Sequence, residues 1–383
     1  MQINDNNMVT MYIIEKISKL DSKIRPLVNN TIPFPINTFI YSYARKYFIN
    51  LFARTSIKPI FIPSEFNVKL WDITFNCSIF NAAGMFKKGE GYYTCANMGA
   101  GAYIAGTTTF TKRKGNNQKC IKHPFMAYPS SKSSSNWLGL PNPCHSYVAN
   151  EIMKIEKIKQ CPLGISVSED PNTNDEMQKI KEVVEGIKLY DKAGVDFVEV
   201  NLSCPNVEHH KHTNCAIDIG MVDKLNYLAD NFIKVSNRNI PLIVKYSNDI
   251  SKEELFAVID ILIDLGFDGI NIGNTSTKYE QYLPFIHPKD IYNYNKFTST
   301  FGGGLSGEIL KENSLFLCKL ATEYINTKIL SKEFNVIRTG GISSSEDIIA
   351  SKNAGIKLNQ WFSGFFEMFS KKGFDVYKGV FCI

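Results

Sequence analysis

The chain has 383 residues, 44% hydrophobic and 21% charged, with 43 Lys and Arg against 37 Asp and Glu for a net charge of +6. That balance excludes a disordered chain, and the scattered lysines argue against a nucleic-acid partner. Nine cysteines without a CxxC pair or a regular framework suit a reducing compartment. The first residues lack the basic start and apolar core of a signal peptide. The longest uncharged stretch, Pro26 to Ala44, is broken by Pro33 and Pro35, so no membrane span is expected and the chain reads as cytoplasmic.

Residues 1–63 read as a helical extension. Met11 to Ile24 and Thr38 to Thr55 have helical patterning, split by the breaker Asn-Asn-Thr-Ile-Pro-Phe-Pro at 29–35. The second helix carries Phe39, Ile40, Tyr43, Phe48, Leu51 and Phe52 beside Arg45, Lys46 and Arg54. It reads as a helix docked on the main domain, with peripheral contact at a membrane surface as the alternative.

Residues 64–383 alternate strand and helix. Candidate strands are Ser78–Ala83, Ala102–Thr107, Leu163–Val167, Phe197–Asn201, Leu242–Lys245, Gly269–Gly273, Val336–Thr339 and Leu358–Phe362. Helices are expected between them, among them Asp175–Ala193, Ile217–Val235, Lys252–Leu265 and Gly307–Ile325. Eight such strands predict an α/β fold of the (β/α)8 TIM-barrel type. A doubly wound sheet is the alternative, but no GxGxxG turn follows the first strand. Long connections, 110–142, 205–216 and 274–306, leave the carboxyl ends of the second, fourth and sixth strands, the rim where barrels place chemistry. The serine-rich run 130–135 reads as a short flexible patch.

The fourth strand runs into Asn201-Leu202-Ser203-Cys204-Pro205-Asn206. Asn donates and accepts hydrogen bonds at once, and Cys is both nucleophile and tunable proton acceptor. A planar imide substrate beside a proton-abstracting group would need that set. A turn with Asn caps and an inert cysteine fits the local pattern equally well.

Other strand ends carry usable groups. Ala82-Ala83-Gly84-Met85-Phe86-Lys87 follows the first, Gly106-Thr107-Thr108-Thr109 the second, and Gly273-Asn274-Thr275 the sixth. The insertion after the second strand ends in Asn136-Trp137-Leu138-Gly139-Leu140-Pro141-Asn142. Late glycine clusters at 302–307, 340–341 and 364 could converge backbone N–H groups on a phosphate. Lys245 ends an apolar strand, either as its first solvated residue or as a fixed charge at a cofactor.

Together these residues resemble the dihydroorotate dehydrogenase family over about Asn67 to Phe366. Asn-Leu-Ser-Cys-Pro-Asn-Val at 201–207 is the most specific motif. Asn-x-x-Gly-Leu-Pro-Asn at 136–142, Gly-Gly-Leu-Ser-Gly at 303–307 and Thr-Gly-Gly at 339–341 follow in family order. The resemblance implies an FMN-dependent barrel enzyme that oxidises dihydroorotate to orotate in pyrimidine synthesis. Cys204 would remove the C5 proton while the C6 hydride passes to the flavin. Lys87, Asn136, Leu138, Gly139, Leu140, Asn201, Asn206, Asn274 and Thr275 would bind the pyrimidine. Ala83, Gly84, Thr107, Asn201, Lys245, Gly273, Gly307, Gly340, Gly341, Ser363 and Gly364 would hold FMN. A related FMN oxidoreductase acting on another pyrimidine or cyclic amide, or a non-catalytic barrel paralogue, are the competing readings.

The class signals are mixed. A cysteine base resembles class 1 members, which points to fumarate as acceptor. Lys87 and the N-terminal helices resemble class 2, which points to quinone. Class 1A members carry a lysine where this chain has Gly106. Gly115-Asn116-Asn117 departs from the family's Gly-Asn-Pro, Asn359 stands where an apolar residue is expected, and the final helix before Ile383 is shorter than the resemblance implies. A homodimer is expected by analogy alone. His209, His210 and His212 lack recognisable ligand spacing, so no metal site is expected.

Overall fold

The computed structural model describes residues 5–118, 120–202 and 219–381 of the chain. Eight strands form one sheet: β1 (Ile79–Asn81), β2 (Tyr103–Thr108), β3 (Leu163–Val167), β4 (Phe197–Asn201), β5 (Leu242–Ser247), β6 (Gly269–Asn274), β7 (Asn335–Thr339) and β8 (Leu358–Trp361). They fall on the eight expected runs to within two residues. Their order is β1-β8-β7-β6-β5-β4-β3-β2, with every paired neighbour parallel. A helix follows most strands, which is the alternation of a TIM barrel.

The seam between β1 and β2 is closed partly by a side chain. Gly101 N–H donates to Ile79 O at 3.0 Å and Gly84 N–H to Gly106 O at 2.7 Å. Between them the Asn81 amide donates to Ile104 O at 2.7 Å and accepts from Ile104 N–H at 3.2 Å. A buried carboxamide thus supplies the donor and acceptor that a neighbouring strand's backbone would have given.

Inside the barrel, side chains two apart on a strand point the same way and stack in layers. The lower layer is apolar, from Phe80, Ile104, Phe197, Ile243, Ile337 and Leu358. The hairpin Val68–Leu70/Ile73–Phe75 plugs the amino-terminal mouth with Leu70 and Phe75. Two residues further along the strands stand Glu199, Lys245, Thr339 and Gln360, all buried. This polar layer is the floor of the carboxyl-terminal mouth.

The insertions after β2 and β6 meet above that mouth. Ser133–Asn136 is the central strand of a three-stranded antiparallel sheet, between Phe125–Tyr128 and Gly304–Gly307. The serine patch is therefore not a flexible segment: Ser133, Ser134 and Ser135 are buried, because small hydroxyls fit between two close strands and find partners there. The helix expected from Gly307 starts instead at Lys311, since Gly304–Gly307 is used as strand and a turn at Glu308–Leu310 intervenes. Asn359 fits without disturbing closure; its Nδ2 donates to Ser78 O at 3.2 Å beside the backbone bond from Asn359 N at 2.8 Å.

Helices α1 (Asp5–Thr31) and α2 (Phe34–Ala53) are both longer than the patterning suggested. Pro33 and Pro35 sit at the start of α2, where a missing N–H costs nothing. Asn29, read as part of a breaker, is helical and buried, bonded to Asn37 at 2.9 Å, Asp290 at 3.2 Å and Asn293 at 2.8 Å. Those bonds tie α1 to the β6 insertion. Phe48 and Phe52 pack on α3 (Ser363–Lys372) through Phe365, Phe366 and Phe369, with ring centroids 5.3–5.8 Å apart. Ile14, Ile49 and Phe52 share one core with the barrel. No described helix is long and apolar enough to cross a membrane.

Candidate active site at the carboxyl-terminal rim

A cavity opens where the strand ends, both insertions and the start of α3 converge. Its lining includes Lys87, Asn136, Leu138, Leu140, Asn201, Asn274 and Thr275. It also includes Gly307, Gly340, Gly341, Ser363 and Gly364, together with Ala83, Gly84, Thr107, Lys245 and Gly273. Every expected site residue in the described part of the chain is brought here except Gly139. A side chain at 139 would meet Asn116 Oδ1 at 2.2 Å, so this glycine lets the loop bearing Leu138 and Leu140 pack on Asn116. Asn116, which keeps the middle position of the family's Gly-Asn-Pro, thus has a local job, and the departure from that motif falls on Asn117. Asn117 opens a short hairpin with Lys122. Cys204, Asn206 and the three loop histidines lie outside the described residues.

The carboxamides are held by one another. Asn274 Nδ2 donates to Asn201 Oδ1 at 3.0 Å, and Asn201 Nδ2 donates to Thr107 Oγ1 at 3.3 Å. Thr107 in turn lies 2.9 Å from Ser166 Oγ. The chain of bonds fixes which face of each amide looks into the cavity. Gly106 admits no side chain, since a Cβ there would lie 2.4 Å from Ser166 O. The half-buried Lys87 approaches from the β1 side instead, and a Cβ at Gly84 would point toward its Nζ at 3.7 Å.

Lys245 is not a solvated strand end. It is 4% exposed, at the cavity floor. Its Nζ lies 3.3 Å from Glu199 Oε1 and 3.2 Å from Gln360 Oε1. Sequence reading missed Glu199, Asn271 and Gln360. The signal available was a polar residue two positions after an inward apolar one in several strands, which alternation counts as an exposed face.

The glycine side has the form of an anion cradle. Gly340 and Gly341 have φ of +133° and +71°, and a Cβ at Gly341 would meet Lys311 Cα at 2.4 Å. A Cβ at Gly364 would lie 1.9 Å from Ile342 O. Among the described residues no side chain caps the amino terminus of α3, whose first residues Ser363 and Gly364 line the cavity.

A second cavity of about 200 Å³ lies between α1, α2 and the barrel, lined by Tyr41, Arg45, Phe48, Phe125, Tyr128 and Phe366 among others. Burial pushes the Arg45 guanidinium down to about 10, and its Nε finds no acceptor among the described residues. Arg45 sits over the Phe125 ring at 5.5 Å. The two cavities share Ser363. There Ser134, Ser306 and Ser363 form a ring of hydroxyls at 2.9, 3.1 and 3.1 Å.

Comparison with known proteins bears on the family and the fold. The family model described as dihydroorotate dehydrogenase matches residues 65–374. A dihydroorotate dehydrogenase (quinone) of Marinomonas sp. (strain MWYL1) is 25% identical over 309 residues, covering 79% of this chain and 81% of the relative. The protein of the same name from Buchnera aphidicola subsp. Schizaphis graminum is 26% identical over 347 residues, covering 89% and 94%. The crystal structure of DHODH from Eimeria tenella in complex with ferulenol has the same fold, with a TM-score of 0.73 at 20% identity and 89% of each chain covered.

Proposed function

The chain belongs to the dihydroorotate dehydrogenase family, and on that premise we propose that it oxidises dihydroorotate to orotate with FMN bound at the carboxyl-terminal rim. One observation carries the reading: Asn136, Asn201, Asn274, Lys87 and Lys245 line the same cavity as an uncapped helix terminus and a glycine cradle. The residues fit the cofactor. Side chains at Gly341 and Gly364 would collide with backbone, so the cradle stays open to a phosphate.

FMN, when bound, supplies a hydride acceptor and a carrier of two electrons. Gly307, Gly340, Gly341, Ser363 and Gly364 would hold its phosphate. Ala83, Gly84, Thr107, Gly273, Asn201 and Lys245 would surround its ring. Asn136, Asn201, Asn206 and Asn274, with Thr275, would match the alternating N–H and C=O edge of the pyrimidine. Leu138 and Leu140 would cover it from water, and Lys87 would pair with its carboxylate. Cys204, three residues beyond Asn201, would accept the C5 proton. An ordinary thiol titrates at about 8.5, so a positive charge beside it would favour the thiolate.

The relatives' printed names support quinone as electron acceptor. The second cavity suits it: aromatic walls, the half-buried Arg45 and a shared wall with the flavin site are what a quinone ring would need. Exposed Tyr12, Ile17, Leu20, Leu27, Phe39 and Tyr47 on α1 and α2 would meet a membrane surface.

The test is spectroscopic. The purified protein should be yellow, bleach anaerobically with dihydroorotate, and recover colour faster with a short-chain quinone than with fumarate. A colourless protein that takes up no FMN would end the reading; faster recovery with fumarate would end its quinone part.

A further inference from the structure

Beneath the rim stands a carboxylate that does not reach the cavity. Glu199 is 1% exposed and lies two residues before Asn201 on β4. Its Oε1 accepts from Lys245 Nζ at 3.3 Å. Its Oε2 accepts from Asn271 Nδ2 at 2.6 Å and Gln360 Nε2 at 2.8 Å. Both amides are held in that orientation: Thr339 Oγ1 donates toward Asn271 Oδ1 at 2.8 Å and lies 3.3 Å from Gln360 Oε1. The surroundings offer Glu199 donors on every side, the complement of an ionised carboxylate.

Stability does not account for this group. A buried ion pair is commonly no more stable than apolar residues of the same volume. The layer below is filled by apolar side chains, so that solution was open here as well. What distinguishes the pair is its asymmetry: Lys245 lines the cavity, and Glu199 stands behind it, reaching the cavity through the side chains of Lys245 and Gln360.

We infer that Glu199 is a positioning residue that pins the Lys245 ammonium at the cavity floor and sets how much positive charge it presents to the flavin. The inference deepens the proposed FMN site and rests on it. A fixed cation in the site would favour the anionic reduced form of bound FMN, and a carboxylate 3.3 Å from that cation would offset part of the effect. Glu199 thus holds down the flavin's affinity for electrons.

The test uses the FMN-loaded full chain and needs no dihydroorotate. Sulfite adds to oxidised flavin and leaves negative charge on the ring, so its dissociation constant reports the same field as the midpoint potential. Glu199→Gln should bind sulfite at least tenfold more tightly than the parent. The matching tenfold gain for reduced over oxidised FMN is a rise of about 30 mV for a two-electron couple. Glu199→Asp keeps the charge and should stay within threefold of the parent. Glu199→Gln/Lys245→Gln removes both charges and should also return toward the parent. Sulfite affinity and potential unchanged in Glu199→Gln would overturn the inference, as would a double variant that binds as tightly as the single one. Should Glu199→Gln not fold, the double variant is compared with Lys245→Gln, which must bind sulfite tenfold more weakly than the double; equal affinities would refute the role. A parent chain that takes up no FMN defeats the underlying site, whereas a flavin-loaded parent with unmoved variants defeats this inference alone.

Discussion

Gly341 stands so close to Lys311 that a Cβ at 341 would lie 2.4 Å from the lysine's Cα and 2.5 Å from its N. The contact is backbone to backbone, so no side chain can rotate away to relieve it. Gly341→Ala must push the 340–341 turn toward the cavity or the start of the Lys311–Ile325 helix away from it. Flavin content after purification should fall at least tenfold, measured by absorbance and by FMN titration of the stripped protein. Gly194→Ala is the control, with a φ of +83° and nothing within 4 Å of its Cβ. It should cost about 1 kcal/mol of stability from backbone conformation alone and keep its flavin.

Replacement of Cys204 tests the proton acceptor. Cys204→Ala should slow anaerobic flavin reduction by roughly 10²–10⁴-fold while orotate binding, read as a spectral shift, changes little. Cys204→Ser should fall between, because a hydroxyl is a weaker acid and needs a stronger push to lose its proton. Reduction at the parental rate in Cys204→Ala would remove the base assignment.

The second cavity can be blocked at its rim. Ala44 is exposed and lines that cavity from α2, so Ala44→Trp obstructs the entrance without disturbing buried packing. Reduction by dihydroorotate should be unchanged, and the quinone KM should rise about tenfold or more in the reoxidation half of the cycle. Equal effects on both halves would show that the two cavities are not used separately.

His145 predicts an acid-sensitive fold. Its ring is buried, with Nδ1 2.9 Å from Thr108 Oγ1 and Nε2 without a partner among the described residues, and burial pushes its pKa down to about 4. The folded chain resists protonation that the unfolded chain accepts at about 6.5. The associated stability is fully present above pH 6.5 and is lost as pH falls from there toward 4, by about 2 kcal/mol at pH 5. Urea midpoints at pH 7.5 and 5 should show the drop, and His145→Gln should flatten it.

How much of this was readable in advance follows from burial chemistry. The barrel strands were legible because parallel strands are covered on both faces and appear as apolar runs, as in Leu242–Val244 and Phe197–Val198. Most rim residues were legible because strand ends and glycines are punctuation. Ser133–Asn136 was not, since its burial is satisfied by hydroxyl bonding and leaves no hydrophobic pattern. Glu199 and Gln360 were hidden for the converse reason. A charged or amide residue in an alternating strand is ordinarily read as solvent-facing, and only the closed cylinder turns that face inward. The reach of α1 through Pro26 was equally hidden, because tertiary bonds at Asn29 outweigh a local breaker.

The ring of Ser134, Ser306 and Ser363 has a kinetic meaning if both chambers are occupied as proposed. A partition one side chain thick lets electrons cross while keeping oxidant and reductant in separate rooms. Neither molecule need leave before the other enters, so the order of arrival becomes a matter of concentration and not of architecture.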